Sequence, residues 1–429
     1  MKRILINDLE SYIGEKILIK GWVHRIRKLS RVSFLIIRDR TGFVQVIFDN
    51  DSFNIKNIKN EAVVSIYGKA AEGKNKYGNV EIQGEELDII QGVTEDLPLD
   101  INKDSLEANL ETQLNNRVLS LRHIKNNSIF KVQALIAQGF QEFLTNEGFT
   151  QVFTPKIVGG GAEGGTAIFP VKYFENTAYL AQSPQFYKQM LVAAGYERVS
   201  EIAAVYRAEE HNTSRHLNEY ISLDLEMGFI EDEREVMELE EKLLRYIFKK
   251  LKKEGKEYLD ILGVSVPKVP EKIPFMPLKE ALNILKNKYG KEHLDGDLDP
   301  EGEKLISQYA REKFSSEFLF LTHYPSKKRP MYTMPQGEES THSFDLLFRG
   351  LEITTGGQRI HDYSMLVESM IKKGLKPEDF NYYTEIFKYG VPPHGGLAIG
   401  LERLTSQLLG LKNVREASLL PRDRTRIMP

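Results

Sequence analysis

The eleven residues LEITTGGQRIH, Leu351 to His361, gather one acid, two hydroxyls, two adjacent glycines and one arginine. A carboxylate suits a hard cation, a guanidinium suits a carboxylate or a phosphate, and glycine lets backbone approach a ligand closely. A second stretch, VYRAEEHNTSRHLNEYISLDLEMGF (Val205 to Phe229), holds Arg207, Glu209, Arg215, His216, Asp224 and Glu226 between β-prone segments. Folded as a hairpin, it would send alternate residues to one face, so that Arg207 with Glu209, and Asp224 with Glu226, enter one pocket. An exposed hairpin laced with ion pairs fits the same pattern. A third stretch, HGGLAIGLERL (His394 to Leu404), runs from glycines through a short apolar strand into a helix carrying Glu402 and Arg403. A helix N-terminus favours phosphate, although such a turn also serves plain packing.

Taken together, Arg207, Arg215 and Arg403 suit polyphosphate oxygens, and Glu352 and Glu209 suit a magnesium ion bridging them. That combination is nucleotide chemistry. The chain has no GxxxxGK(S/T) loop and no GxGxxG after a strand, so neither P-loop nor dinucleotide-fold binding fits. It has no cysteine, which excludes disulfides, thiolate nucleophiles and Cys-bound zinc, and its nine histidines show no HxxxH pairing. Any metal would therefore sit on oxygen ligands, which favours magnesium.

These motifs need elements to hold them. At 429 residues, 41% hydrophobic and 28% charged, the chain is long enough for two or three globular domains. No secretory signal and no run of roughly 20 apolar residues is present, so a cytoplasmic protein without a membrane anchor is expected. A net charge of -3 means that a polyanion would have to be held by local basic patches, HRIRKLSR (His24 to Arg31) being one candidate. The first hundred residues alternate short apolar runs with turns at period 2, and five or so strands at that spacing predict a small barrel of the oligonucleotide-binding (OB) type, residues 1–100. A stretch rich in acids and amides, 101–127, reads as a hinge. From about Ser128 the spacing turns helical, ending at Gly148, and a mixed α/β region, 128–429, follows. Within it EDEREVMELEEKLLRYIFKKLKKEGKE predicts an amphipathic helix whose charges mark a solvated face.

Several motifs occur in an order that resembles the class II aminoacyl-tRNA synthetases, and among them the archaeal-type aspartyl-tRNA synthetases. EGFTQVFTPKI around Pro155 is similar to their motif 1, a dimer-interface element. VYRAE…RHLNEYISLDLEM is similar to motif 2, GGLAIGLERL to motif 3, GAEGGTAIF to the loop that closes over the amino acid, and LAQSPQFYKQ to the aspartate-pocket strand and helix. The resemblance spans nearly the whole chain. It implies an α+β fold, with an N-terminal anticodon-binding barrel before a catalytic domain built on an antiparallel sheet flanked by helices.

The resemblance also implies roles. Arg207 would bind the α-phosphate and the substrate carboxylate; Arg403 would reach the γ-phosphate and stack on adenine, whose other face would meet Tyr220. Arg215 and His216 would hold the pyrophosphate end and Glu209 the adenine side, with Ala208, Leu217, Gly400, Leu401 and Glu402 completing the ATP site. Glu352 and Thr355, assisted by Asp345, would ligate Mg2+. Glu163, Gln185, Phe186, Tyr187, Lys188, Asp224 and Arg359, with Arg207 and Thr355, would line the L-aspartate pocket. In that setting Lys188 and Arg359 would enclose an acidic side chain, and asparagine would leave them without a counter-charge at about 2 to 5 kcal/mol. The amino group would meet Asp224 and Glu163, and Gly356 and Gly357 would let the strand lie under the substrate.

In the barrel, Phe34 and Gln45 fall where the family reads the middle anticodon base, and Lys76 lies in the loop GKNKYGN, which bears on tRNA discrimination. Discrimination between the two tRNAs would then fall to the third anticodon base, and His24 occupies the GWVH position where tRNA(Asp)-only enzymes of the family tend to carry tryptophan and relaxed ones histidine. The expected partners are thus tRNA(Asp) and tRNA(Asn), ATP, a second copy of the chain through motif 1, and an amidotransferase acting on Asp-tRNA(Asn). An asparaginyl-tRNA synthetase, an asparagine synthetase on the same core, and a catalytically idle RNA-binding paralogue are the alternatives.

Overall fold

The computed structural model describes residues 1–50, 58–161, 167–210, 213–292 and 296–429. Contacts divide the chain into two compact units, Met1–His123 and Ile124–Pro429. In the first, strands β1 (Lys16–Lys28), β2 (Val32–Arg38), β3 (Phe43–Asp49), β4 (Val63–Asn75) and β5 (Gly78–Gln91) close into a barrel in the order β1-β2-β3-β5-β4. The period-2 alternation legible in the sequence sends Ile19, Val23, Leu35, Ile37, Val46, Phe48, Val64, Ile66 and Ile82 into a closed core. Each such side chain contributes about 1.5 to 3 kcal/mol by leaving water. Trp22, Phe34, Phe43 and Gln45 stay half-buried. At one point β1 slips against β2: Val23 pairs with Ile37 and Arg25 with Ile36, leaving His24 as the extra residue of a bulge.

The stretch expected as a hinge has structure of its own. Leu99, Ile101 and Asn102 are buried. The helix Leu110–Asn115 is capped by the Asn109 side chain, which accepts from Thr112 N, and Arg117–Ser120 follows. The next helix, Ile124–Asn146, opens the second unit and gives way to Gly148 at φ 81°.

The second unit holds β6 (Thr150–Gln151), a small sheet of β7 (Ile157–Val158), β8 (Pro170–Tyr173) and β9 (Asn176–Leu180), then β10 (Arg198–Tyr206), β11 (Glu219–Gly228), β12 (Phe275–Pro277) and β13 (Phe318–Thr322). After the short pair β14 (Pro335–Gln336) and β15 (Ser340–Thr341) come β16 (Ser343–Phe348), β17 (Leu351–Arg359) and β18 (His394–Gly400). Eight of these form one sheet in the order β12-β13-β16-β17-β18-β11-β10-β6. Its six inner strands pair antiparallel, as expected, while both edge strands, β12 and β6, add in parallel.

Helices Ile124–Asn146, Glu233–Glu254 and Leu401–Leu409 supply Val132, Ile136, Leu244, Ile247 and Leu404 to the main core, which the sheet completes with Leu223, Leu225, Phe344, Leu397 and Ile399. The alternate residues of β11, β17 and β18 are left for the opposite face. The helix Glu233–Glu254 corrects one expectation. Its acids are not all solvated, because Glu233, Glu240 and Glu241 are buried; Glu240 accepts from Thr354 Oγ1 at 2.6 Å and Glu241 from Ile273 N at 2.8 Å.

Candidate active site

Three central strands make the floor. On β11, Tyr220, Ser222, Asp224 and Glu226 share one face; on β18, Gly396, Ala398 and Gly400 lie opposite them in register. On β17, Thr355 pairs with Ala398 and Gly357 with Gly396, and Arg359 continues the same face. Over one end of this floor opens a cavity of about 270 Å³ lined by Arg207, Glu209, Arg215, His216, Leu217, Tyr220, Glu352, Thr355, Gly400, Glu402 and Arg403. The nucleotide-site expectations therefore converge, with two exceptions. Ala208 donates its N–H to Ala167 O and does not line the cavity, and Leu401 turns into the core. Arg207 and Glu209 also reach it differently from the hairpin reading. β10 ends at Tyr206, and both residues follow in a loop whose carbonyls the Asn218 amide holds at 2.7 and 3.2 Å.

Within the cavity, Arg403 donates to Glu352 O at 3.1 Å and Oε1 at 3.2 Å, and Thr355 Oγ1 donates to the same Oε1 at 3.3 Å. The guanidinium of Arg207 lies 5.8 Å from the Tyr220 ring centre. Arg215 reaches both oxygens of Glu303 at 2.6 Å, an acid of the helix Pro300–Phe314 that the sequence did not single out. Burial pushes the Glu303 carboxyl up against the pull of Arg215. Glu402 accepts the Ile221 N–H through both oxygens, and burial raises its carboxyl to about 8.

The floor continues into a network of buried charge. Lys188 Nζ, on the helix Gln185–Leu191, donates to Asp224 Oδ1 at 3.0 Å and to the carbonyls of Leu225 and Leu397 at 3.2 Å, and lies 3.2 Å from Glu226 Oε2. Arg359 Nε donates to Glu226 Oε1 at 3.0 Å and Nη2 to Gly396 O at 3.0 Å. Among the described residues its Nη1 makes no hydrogen bond, nor does the buried Gln185 Nε2. Burial pushes Glu226 up, but Arg359 and then Lys188 outweigh it and hold the carboxyl below its ordinary value. A Cβ at position 396 would stand 2.1 Å from Glu226 Oε2, so only glycine there lets this carboxylate lie across β18.

Glu226, which the hairpin reading sends into one pocket with Asp224, is given no role there by that reading. It changes the charge argument. Lys188 and Arg359 are already matched by Asp224 and Glu226, so asparagine would not strand two unpaired cations. Asp224 serves Lys188 here, whatever it does for an amino group. Phe186 is corrected as well: it stacks on Tyr383 at 4.1 Å in an apolar cluster with Tyr332 and Ile360, drawn there by its own burial, while Tyr187 stays half-buried. A Cβ at Gly356 would meet the Phe344 ring at 2.3 Å, so this glycine serves core packing and not a substrate. Glu163, and most of the loop GAEGGTAIF, lie outside the described residues.

The oxygen donors expected to hold magnesium fit that role. Asp345 of β16 pairs in register with Thr355, which contacts Glu352. Burial pushes the Asp345 carboxyl to about 6, with Arg329, 2.7 Å away, opposing and Glu352 reinforcing the rise. Two acids that repel one another beside a hydroxyl are a donor set a divalent cation would relieve. Among the described residues no group of three or more histidines and acids converges.

In the barrel unit, His24 accepts a bond from Asn102, Gln45 donates to Glu81 Oε2 at 3.2 Å, and Lys76 pairs with Asp104 at 3.0 Å, both exposed. Phe34 lies half-buried on β2.

A sheet of six inner antiparallel strands, a motif-2 loop arginine and a strand-to-helix arginine around one cavity define a class II synthetase catalytic unit. Comparison with known proteins agrees: residues 109–424 match the family described as tRNA synthetases class II (D, K and N), and residues 17–90 match the OB-fold nucleic acid binding domain. The chain belongs to the class II tRNA synthetases of the D, K and N group. It is 47% identical over 427 residues to a Thermus thermophilus protein named Aspartate--tRNA(Asp/Asn) ligase, covering 100% of both chains. It is 48% identical over 436 residues to a Deinococcus radiodurans protein of the same name, covering 100% of this chain and 99% of that one. Among solved structures, an asparaginyl-tRNA synthetase from Pyrococcus horikoshii complexed with asparaginyl-adenylate superposes with a TM-score of 0.93 at 28% identity, covering 100% of both chains.

Proposed function

We propose that the chain is an aspartate–tRNA ligase that activates L-aspartate with ATP and charges both tRNA(Asp) and tRNA(Asn). The observation that carries the reading is the continuity of one sheet face. The same strand, β17, presents Glu352 and Thr355 to a cavity rich in arginine, and two steps on presents Arg359 beside Lys188 with Nη1 uncommitted. An amino acid spanning that face would put its α-carboxylate near the nucleotide and its side chain at Arg359. The Nη1 edge offers donors only, so it accepts a carboxylate and meets only one end of a carboxamide. Full-length relatives of the Asp/Asn name support the tRNA range.

The aspartate α-carboxylate is an anion at neutral pH, so attack on the α-phosphorus needs no general base. Arg207 neutralises charge at the α-phosphate and Arg403 charge further along the polyphosphate, which makes catalysis a matter of positioning and charge. Magnesium, held by Glu352 and Thr355 with Asp345, would withdraw charge from the phosphate oxygens when bound. The aspartyl-adenylate then meets the 3′-hydroxyl of tRNA. The exposed Phe153 (82%) and Ile157 (53%) of the motif 1 stretch support pairing with a second copy there. An amidotransferase acting on the Asp-tRNA(Asn) product belongs to the same proposal.

Aspartate-dependent, but not asparagine-dependent, exchange of pyrophosphate into ATP is expected, with charging of both pure transcripts. Activation of asparagine in place of aspartate would overturn the amino-acid assignment; failure to charge tRNA(Asn) would remove the relaxed range alone.

A further inference from the structure

His24 stands at the bulge of β1, where a side chain is re-aimed out of the strand's alternation. The residues that clasp it are unusual. Glu61, a non-glycine residue at φ 66°, donates its N–H to Val23 O at 2.6 Å, and Val23 N–H returns to Ala62 O at 2.9 Å. Such left-handed backbone is strained in a residue with a side chain and persists where the surroundings over-determine it. The Glu61 side chain is 1% exposed and pairs with Arg38 at 2.7 Å and Arg122 at 3.1 Å. Its other oxygen, Oε1, lies 2.9 Å from Asn102 Nδ2.

That last contact fixes a proton. A carboxylate can only accept, so the Asn102 amide must turn its NH2 towards Glu61. The same nitrogen lies 3.2 Å from His24 Nδ1, and its second hydrogen points there, while Arg25 Nη2 donates to the backbone carbonyl of Asn102 at 2.6 Å and ties its main chain to β1. Nδ1 is thereby an acceptor, and the ring hydrogen sits on Nε2. Among the described residues Nε2 makes no hydrogen bond, and the ring rests edge-on against Phe43 at 4.8 Å, with Tyr77 5.8 Å beyond. Burial and Arg38 keep the ring neutral, its pKa pushed down to about 4.

We infer that Asn102, oriented by Glu61, is a positioning residue for tRNA selection. It locks His24 as a single Nε2–H donor, and that donor reads O2 of the third anticodon base. This inference rests on the proposed relaxed range: cytidine in tRNA(Asp) and uridine in tRNA(Asn) differ at N3 and C4 but share the O2 acceptor. A donor fixed on Nε2 accepts both. A ring released by Asn102 would be free both to switch tautomer and to turn away from the base, so that the donor is no longer held at that edge.

The test is steady-state charging by the full chain of tRNA(Asp) and tRNA(Asn) whose third anticodon base is native or its 2-thio analogue, a much weaker acceptor. In the wild type the sulfur should lower kcat/KM about three- to tenfold on each tRNA, the worth of one neutral hydrogen bond. In Asn102→Leu the native tRNAs should already have lost a similar factor and the sulfur should cost less than about twofold more. Pyrophosphate exchange should stay unchanged throughout. Equal sulfur sensitivity in both proteins, or none in the wild type, overturns the lock. Should Asn102→Leu not fold, 15N spectra of histidine-labelled wild type decide, with His24 assigned by its loss in His24→Gln: an Nδ1–H tautomer overturns the proposal. A wild type that charges only tRNA(Asp) removes the relaxed reading, and sulfur sensitivity on tRNA(Asp) still decides the lock.

Discussion

Replacing Arg359 by leucine tests the amino-acid end of the site most directly. The side chain belongs to a residue only 5% exposed, binds Glu226 Oε1 and Gly396 O at 3.0 Å each, and leaves Nη1 for a ligand. Truncating one partner of a buried, hydrogen-bonded charge pair costs about 2 to 5 kcal/mol. At about 1.36 kcal/mol per decade this is roughly 30- to 5,000-fold in kcat/KM for aspartate. Pyrophosphate exchange measured across aspartate and ATP concentrations reads it. The KM for ATP should move less than about threefold, because Arg359 does not line the nucleotide cavity. Part of the loss will appear as stability, since Glu226 is left buried beside Lys188 alone. Arg359→Lys, which keeps the charge but not the planar fork, should fall between the two and melt closer to wild type. A leucine variant within about fivefold of wild type in kcat/KM for aspartate, or one in which both KM values rise together, would refute the reasoning.

Gly396→Ala would force a Cβ to 2.1 Å from Glu226 Oε2 and 2.2 Å from Leu225 O, and the latter is backbone that cannot swing away. Aspartate activation should drop at least about tenfold, by the lost alignment of Arg359, with a lower melting temperature; a variant indistinguishable in exchange would remove the carboxylate's seat from the account. Glu240, fully buried, has its carboxyl pushed by burial to about 8 from an ordinary 4.5. The folded chain then holds a proton that the unfolded chain has lost between those values, so this group's contribution to stability falls as pH rises from 4.5 to 8. Glu240→Gln mimics the protonated acid and should match wild type near pH 5 and exceed it above pH 8 in urea midpoint; a variant weaker than wild type at high pH would contradict this. His394 runs the other way. Burial lowers its ring to about 4 from 6.5, so its contribution is present above 6.5 and is lost as pH falls towards 4. Melting of His394→Gln should be less acid-sensitive than wild type between those values, and parallel curves would exclude His394 as the cause.

The barrel and the arginine-lined cavity were legible in the sequence because both are local. Period-2 alternation within each strand predicts which side of the barrel a residue faces, and the motif 2 and motif 3 arginines lie next to the turns that deliver them. What escaped was pairing across strands. Alternation put Asp224 and Glu226 on one face, yet nothing in the spacing says that Lys188 or Arg359 meets them, because those contacts join residues 36 and 133 apart. Glu303 and Arg329 escaped for the same reason. An acid on an amphipathic helix and an arginine in a loop look solvent-facing until the sheet brings Arg215 and Asp345 to them. Phe186 was misplaced by its neighbours: a residue between pocket positions 185 and 188 on a helix turns to the far side within one turn and joins the core.

The matched charges at the end of the floor bear on how aspartate and asparagine are told apart. Two cations and two acids cancel, so selection cannot rest on a bare positive field, and an asparaginyl-tRNA synthetase can share the fold at a TM-score of 0.93. Under the proposed aspartate activation it would rest on geometry. Lys188 spends its hydrogens on Asp224 and two carbonyls, whereas Arg359, gripped through Nε and Nη2, keeps one edge open. Glu226 therefore does more than neutralise. By holding Arg359 in one rotamer it turns a long, flexible cation into a fixed pair of donors, to which a carboxylate offers two acceptors and a carboxamide only one. The small residues of β18 follow from the same requirement, since a side chain at position 396 would displace the acid that aims the arginine.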